Sequence, residues 1–211
     1  MMKKAFAAMA LAAMTISAQA AVVINEGFDN VSGLSASGWS ITSASTPVGT
    51  TGSWYQGTSS VFSAQSGDST SYAAANYNNT TEGGTIDSWL LTPVFDASLG
   101  ATVSFYLRAA GEGYADTINF GFINADGSFT SIPLTTVSAV PDSDWTQYTA
   151  WIGADSLSSV RFAFEYTGTY DTANYVGLDS LTVDVPEPAS LALIAGGLLG
   201  LGAMRRRRAR G

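Results

Sequence analysis

Apolar and polar residues alternate one by one over three stretches of the chain. Val103, Phe105 and Leu107 interleave with Thr102, Ser104, Tyr106 and Arg108; Ile118, Phe120 and Phe122 repeat the pattern; Val160, Phe162, Phe164 and Tyr166 stand opposite Arg161, Ala163 and Glu165. A period of two places one row on each face of a strand, so each stretch predicts a strand that is buried on one side only. Shorter segments at 22–24, 39–42, 72–77, 88–91, 145–151 and 175–183 read as further strands. The intervening residues are rich in Gly, Ser, Thr, Asn and Asp, and Asn124-Ala125-Asp126-Gly127 is a hairpin turn signal. No long stretch shows helical spacing. Many short strands separated by turns predict an all-β, antiparallel β-sandwich of jelly-roll, galactose-binding-like form.

Two apolar runs stand outside this pattern. The first follows Lys3 and Lys4, spans 5–16 and ends at Ala18-Gln19-Ala20. That order predicts a secretory signal helix, residues 1–20, cut after Ala20. The second spans 189–204, after Pro186-Glu187-Pro188 and before Arg205, Arg206, Arg207, Arg208 and Arg210. Sixteen helical residues reach about 24 Å, which snorkelling arginines extend toward the hydrocarbon thickness of about 30 Å. A transmembrane helix is therefore expected at the C-terminus, its arginines on the cytoplasmic side of the inner membrane and the body outside. The body, residues 21–185, is about one domain in size.

Composition narrows the chemistry. The chain has 211 residues with no His and no Cys, and its only lysines are Lys3 and Lys4. Ser-His-Asp and Cys-His sites, zinc fingers, usual haem or iron-sulfur centres and Schiff-base mechanisms are excluded. Within 21–185, 16 acidic residues face only Arg108 and Arg161, a net charge of −14. Such a surface repels phosphate backbones, so nucleic acid is excluded as a partner.

The C-terminal order of Pro186-Glu187-Pro188, apolar span and Arg cluster closely resembles the PEP-CTERM sorting signal of Gram-negative bacteria. The resemblance implies processing by an exosortase and delivery to the cell surface or extracellular matrix in an organism that makes exopolysaccharide. Inside the body, Glu26-Gly27-Phe28-Asp29, Ser37-Gly38-Trp39, Asp87-Ser88-Trp89-Leu90-Leu91-Thr92-Pro93 and Gly177-Leu178-Asp179-Ser180-Leu181-Thr182-Val183 follow in order. This succession resembles the choice-of-anchor J domain, related to cleaved-adhesin and MAM-type jelly rolls. Jelly rolls of this type tie the N-terminal segment to the last strand with a structural Ca²⁺. The resemblance thus implies a calcium set of Glu26, Asp29, Asp87 and Asp179, although Ser180 replaces the second Asp of the closing motif. The alternative is that these acids are strand-end and turn residues bonded to backbone N–H groups.

Trp54 and Tyr55 lie among Gly52, Ser53, Gln56 and Gly57, where a flat ring beside amide and hydroxyl groups suits a sugar. Trp39, Trp89, Trp145 and Trp151, on predicted strands, are expected in the core. Carboxylate catalysis needs two acids flanking a bond, yet nothing in the sequence singles out a pair. The expected role is a non-enzymatic structural or adhesive surface protein. Its rival is a carbohydrate-binding module for exopolysaccharide, with a glycan-active hydrolase behind both. An acidic body further implies a neutral glycan, or one bridged by a cation.

Overall fold

The computed structural model describes residues 20–187, apart from 112, 115, 140–143 and 155–156. Residues 1–19 of the expected signal helix, the apolar span, Pro188 and the five arginines fall outside the described residues, and Ala20 opens the first strand. Ala20–Pro186 forms a compact unit.

Twelve strands follow in order: β1 (Ala20–Glu26), β2 (Ser40–Ser43), β3 (Thr46–Val48), β4 (Tyr55–Gln56), β5 (Ala73–Asn76) and β6 (Thr80–Leu91), then β7 (Ala101–Ala109), β8 (Asp116–Asn124), β9 (Thr135–Ala139), β10 (Thr146–Ile152), β11 (Val160–Thr169) and β12 (Tyr175–Pro186). All pair antiparallel in two sheets. Sheet A runs β10-β7-β12-β5-β4, with β1 also on β12; sheet B runs β2-β6-β11-β8-β9, with β3 also on β6. The result is the predicted all-β, jelly-roll sandwich.

The three alternating stretches became β7, β8 and β11. Their apolar rows meet between the sheets, where Phe105 of sheet A lies 4.9 Å from Phe120 and 4.8 Å from Phe164 of sheet B, edge to face. Offset and edge-on ring pairs of this kind add about 0.5–1.5 kcal/mol each beyond simple burial. The turn after β8 forms as the sequence signals, with Gly127 at φ +87° and its N–H donating to Asn124 O. Beyond it the chain pairs Phe129 with Ile123 before crossing sheet B to β9. Strands β3, β4 and β9 and the first half of β6 were not expected, because Thr80–Gly84 and Thr135–Ala139 contain almost no large apolar residues to alternate.

One buried carboxylate organises the inside. Asp116 Oδ1 accepts from the Tyr166 hydroxyl at 2.6 Å and from Asn174 N at 2.8 Å, and its Oδ2 accepts from Tyr175 N at 3.2 Å. These donors compensate the burial of the group. Burial dominates even so and raises the Asp116 pKa above the usual carboxylate range.

Candidate functional site

The outer faces of the two sheets differ in what covers them. On sheet A, Ala74, Gly177 and Arg108 stand in register across β5, β12 and β7. The small Ala74 and Gly177 leave a depression that Phe62 fills, ringed by Tyr72, Tyr175 and Trp145 at centroid distances of 5.1–5.5 Å. A Cβ on Gly177 would come within 2.8 Å of both Phe62 and Trp145. Arg108 caps Phe62 with its guanidinium 4.8 Å from the ring centre. The Tyr72 and Tyr175 hydroxyls lie 3.0 Å apart, and burial pushes both phenols above their ordinary pKa. This face is closed.

On sheet B the face is open. The register places Thr42, Trp89, Glu165, Asn119 and Thr136 in one row across β2, β6, β11, β8 and β9. A groove of about 590 Å³ runs beside that row, with Asp87, Trp89, Glu165 and Arg161 on its floor and the turn from Ala125 to Phe129 as its wall. Phe129 is 65% exposed and meets Trp89 edge to face at 5.6 Å. Thr136 Oγ1 donates to Asn119 Oδ1 at 2.6 Å, and Asn119 Nδ2 donates to Glu165 Oε2 at 2.7 Å. The Trp89 indole N–H donates to Asp87 Oδ1, which fixes the ring. Arg161 ties the rim together: Nη1 donates to Gly38 O and Thr92 O, and Nε to Ala125 O. Burial pushes the Glu165 carboxyl above its usual range; Asn119 opposes the shift and the charge of Asp87 adds to it.

Trp54, expected as an exposed sugar platform, is instead 4% exposed and part of the core. Its indole donates to Ser88 O at 3.1 Å and its ring meets Tyr166. The Trp54 side chain is turned into the core although its chain neighbours are small and polar. Tyr55 is half-buried and packs on Tyr175 at 6.4 Å. Neither offers a free ring face. The converse holds for Trp151, expected in the core and 75% exposed. Trp39 is buried as expected, and Trp145 is half-buried in the closed face of sheet A.

The four acids of the calcium set are not brought together. Glu26 Oε1 accepts Phe28 N at 2.8 Å, supporting Phe28 at its left-handed φ of +54°. Asp29 is exposed beside Gly67. Asp179 is fully buried and accepts Gln65 N at 2.7 Å and Ser66 N at 3.1 Å on Oδ2, with Ser180 N on Oδ1. Asp87 stands in the groove of the other sheet. Among the described residues no three acidic side chains form a group able to hold a metal ion. Amide protons fill the buried oxygens of Asp179, where a cation would need lone pairs, so the donor set does not fit Ca²⁺. Burial still outweighs those amides and raises the Asp179 pKa.

Two groove residues had readable signals. Glu165 occupies the outward phase of β11, and Phe129 follows the Asn124–Gly127 turn by two residues, where a side chain stands proud of the sheet.

Residues 184–208 match the PEP-CTERM protein-sorting motif. The chain ends in a PEP-CTERM sorting signal. No curated protein matches it in sequence. Among solved structures, the K1 Cleaved Adhesin domain of Lys-gingipain from Porphyromonas gingivalis W83 is similar at TM-score 0.56 and 20% identity, covering 78% of this chain and 98% of that one. The K3 Cleaved Adhesin domain of the same protein has TM-score 0.57 and 20% identity, covering 79% and 99%. The sandwich upstream of the PEP-CTERM signal therefore has the cleaved-adhesin jelly-roll fold.

Proposed function

We propose that this is a non-catalytic surface adhesin, exported and sorted through its PEP-CTERM signal by an exosortase, whose sheet B groove holds a neutral glycan chain. The observation that carries the reading is the half-buried Trp89 ring paired with the exposed Phe129 beside the Asp87, Glu165 and Thr42 oxygens. Sugar rings present C–H faces that pack on aromatic rings and hydroxyls that donate to carboxylates, so the groove offers both halves of that recognition. With three acids lining the groove, Asp87, Asp126 and Glu165, and a body net charge of −14, a polyuronate is repelled and an uncharged chain is not. The sorting motif and the adhesin fold support delivery outside the cell.

The way Asp87 and Glu165 are held supports a non-catalytic role. Trp89 occupies one oxygen of Asp87, and Asn119 occupies one of Glu165, so both serve as fixed acceptors. Amide donors from Gln65, Ser66 and Ser180 hold the buried Asp179 carboxylate in place. Affinity electrophoresis of residues 20–187 through gels containing neutral glucan, galactan or mannan, or alginate as the anionic control, tests the reading. Retardation by a neutral glycan, lost in Trp89→Ala and absent in alginate, is expected. Equal retardation of Trp89→Ala, or release of reducing sugar by the protein, would overturn it.

A further inference from the structure

The two sheets share a margin at β9 and β10, and it differs from the opposite one. The opposite margin is broken into β2, β3 and β4, of four, three and two residues, with Pro47 inside β3. Short strands and proline are the usual protection of a sheet edge. By contrast β10 is seven residues long and pairs with β7 without a bulge, from Thr146 opposite Leu107 to Ile152 opposite Ala101. Among the described residues no strand pairs with its other side. That side presents a row of unpaired backbone N–H and C=O groups.

Charge sets this margin apart as well. No charged residue occurs from Trp145 to Ala154, nor from Gly127 to Ala139, in a body of net −14. Trp151 is 75% exposed on it. A cleft of about 370 Å³, lined by Ile132, Val137, Tyr148 and Trp151, opens between β9 and β10. Two copies of an acidic domain repel wherever their acids meet. The stretch from Trp145 to Ala154, between Asp144 and Asp155, carries no acid and is where they approach at the least such cost.

We propose that β10 pairs antiparallel with β10 of a second copy, joining the two A sheets into one continuous sheet. A two-fold axis at Thr149 places Tyr148 opposite Ala150 and Gln147 opposite Trp151, so every cross-strand pair is neutral and the contact is self-complementary. A foreign acidic or basic strand finds no opposite charge on β10 to select it. The contact leaves the groove on the outer face of sheet B clear, so glycan binding and pairing are separable.

The absence of native cysteine makes the geometry directly testable. Facing Cα atoms in an antiparallel ladder lie about 4.5–5.5 Å apart, within disulfide reach of about 4.4–6.8 Å. Thr149→Cys is expected to form a covalent dimer on mild oxidation much faster than Val48→Cys on the opposite margin. Sedimentation of residues 20–187 should show concentration-dependent dimers, weakened at least about tenfold in Thr149→Asp and in Trp151→Glu by like charges placed opposite each other. Both variants should keep the parent circular dichroism and glycan retardation. A wild type that stays monomeric, a dimer unaffected by both acidic variants, or equal oxidation of the two cysteine variants would each overturn the proposal.

Discussion

The outer faces of sheets A and B use the same kinds of side chain to opposite ends. On sheet A a Gly and an Ala create a hollow, and the chain brings its own Phe62 to fill it under Tyr72, Tyr175 and Trp145. On sheet B a similar small-residue patch, Gly121 with Ala163, receives Leu134, but Trp89 is left half-buried and Phe129 exposed. The lesson is that an aromatic residue becomes core or binding surface according to whether the chain returns to cover it. Composition alone does not decide this.

Phe62→Ala breaks the comparison most severely, since it empties the hollow. A loss of about 3–5 kcal/mol is expected for removing such a ring, read as a lower midpoint in urea. Glycan retardation of the still-folded protein should be unchanged. Trp89→Ala is expected to behave in reverse: stability within about 1 kcal/mol of wild type, and binding weakened by about 2 kcal/mol or more, as for a central aromatic anchor. If Trp89→Ala unfolds the domain, sheet B is not an independent binding face.

Acidity sharpens the same contrast. The folded-state pKa values of Asp116, Asp179 and Glu165 lie above their ordinary values, with burial the leading cause in each. The folded state therefore binds these protons more tightly than the unfolded state. Stability should rise as pH falls from neutral toward the ordinary carboxylate range, and decline as pH rises through the folded values. Thermal melts across that range check the direction; Asp116→Asn should flatten the slope, and Glu165→Gln should flatten it less. The smallest effect is expected from metal: adding calcium or EDTA should leave the melting temperature unchanged, because amide protons already satisfy Asp179.

Much of the scaffold was legible because its strands are half-buried. Phe105, Phe120, Phe162 and Phe164 announce their face by strict alternation, and all four reach the core. The groove was harder to read. In β6, Ile86, Ser88 and Leu90 point inward while Asp87, Trp89 and Leu91 point outward, so apolar residues lie on both faces and a period of two cannot assign Trp89. Trp54 misled for the opposite reason: its neighbours are polar and small, yet its ring lies in the core with the indole bonded to Ser88 O. The calcium set shared motif positions without sharing a place, since Asp87 and Asp179 belong to different sheets. Register and strand crossing decide such questions, and neither is local in sequence.

Hydrogen exchange of residues 20–187, with and without the neutral glycan that retards it most, tests the central claim most directly. The account predicts slowed exchange in β6, β11 and the Ala125–Phe129 turn, with none in residues 57–72 over sheet A. Protection confined to residues 57–72 would contradict it and move the binding surface to the face described here as closed.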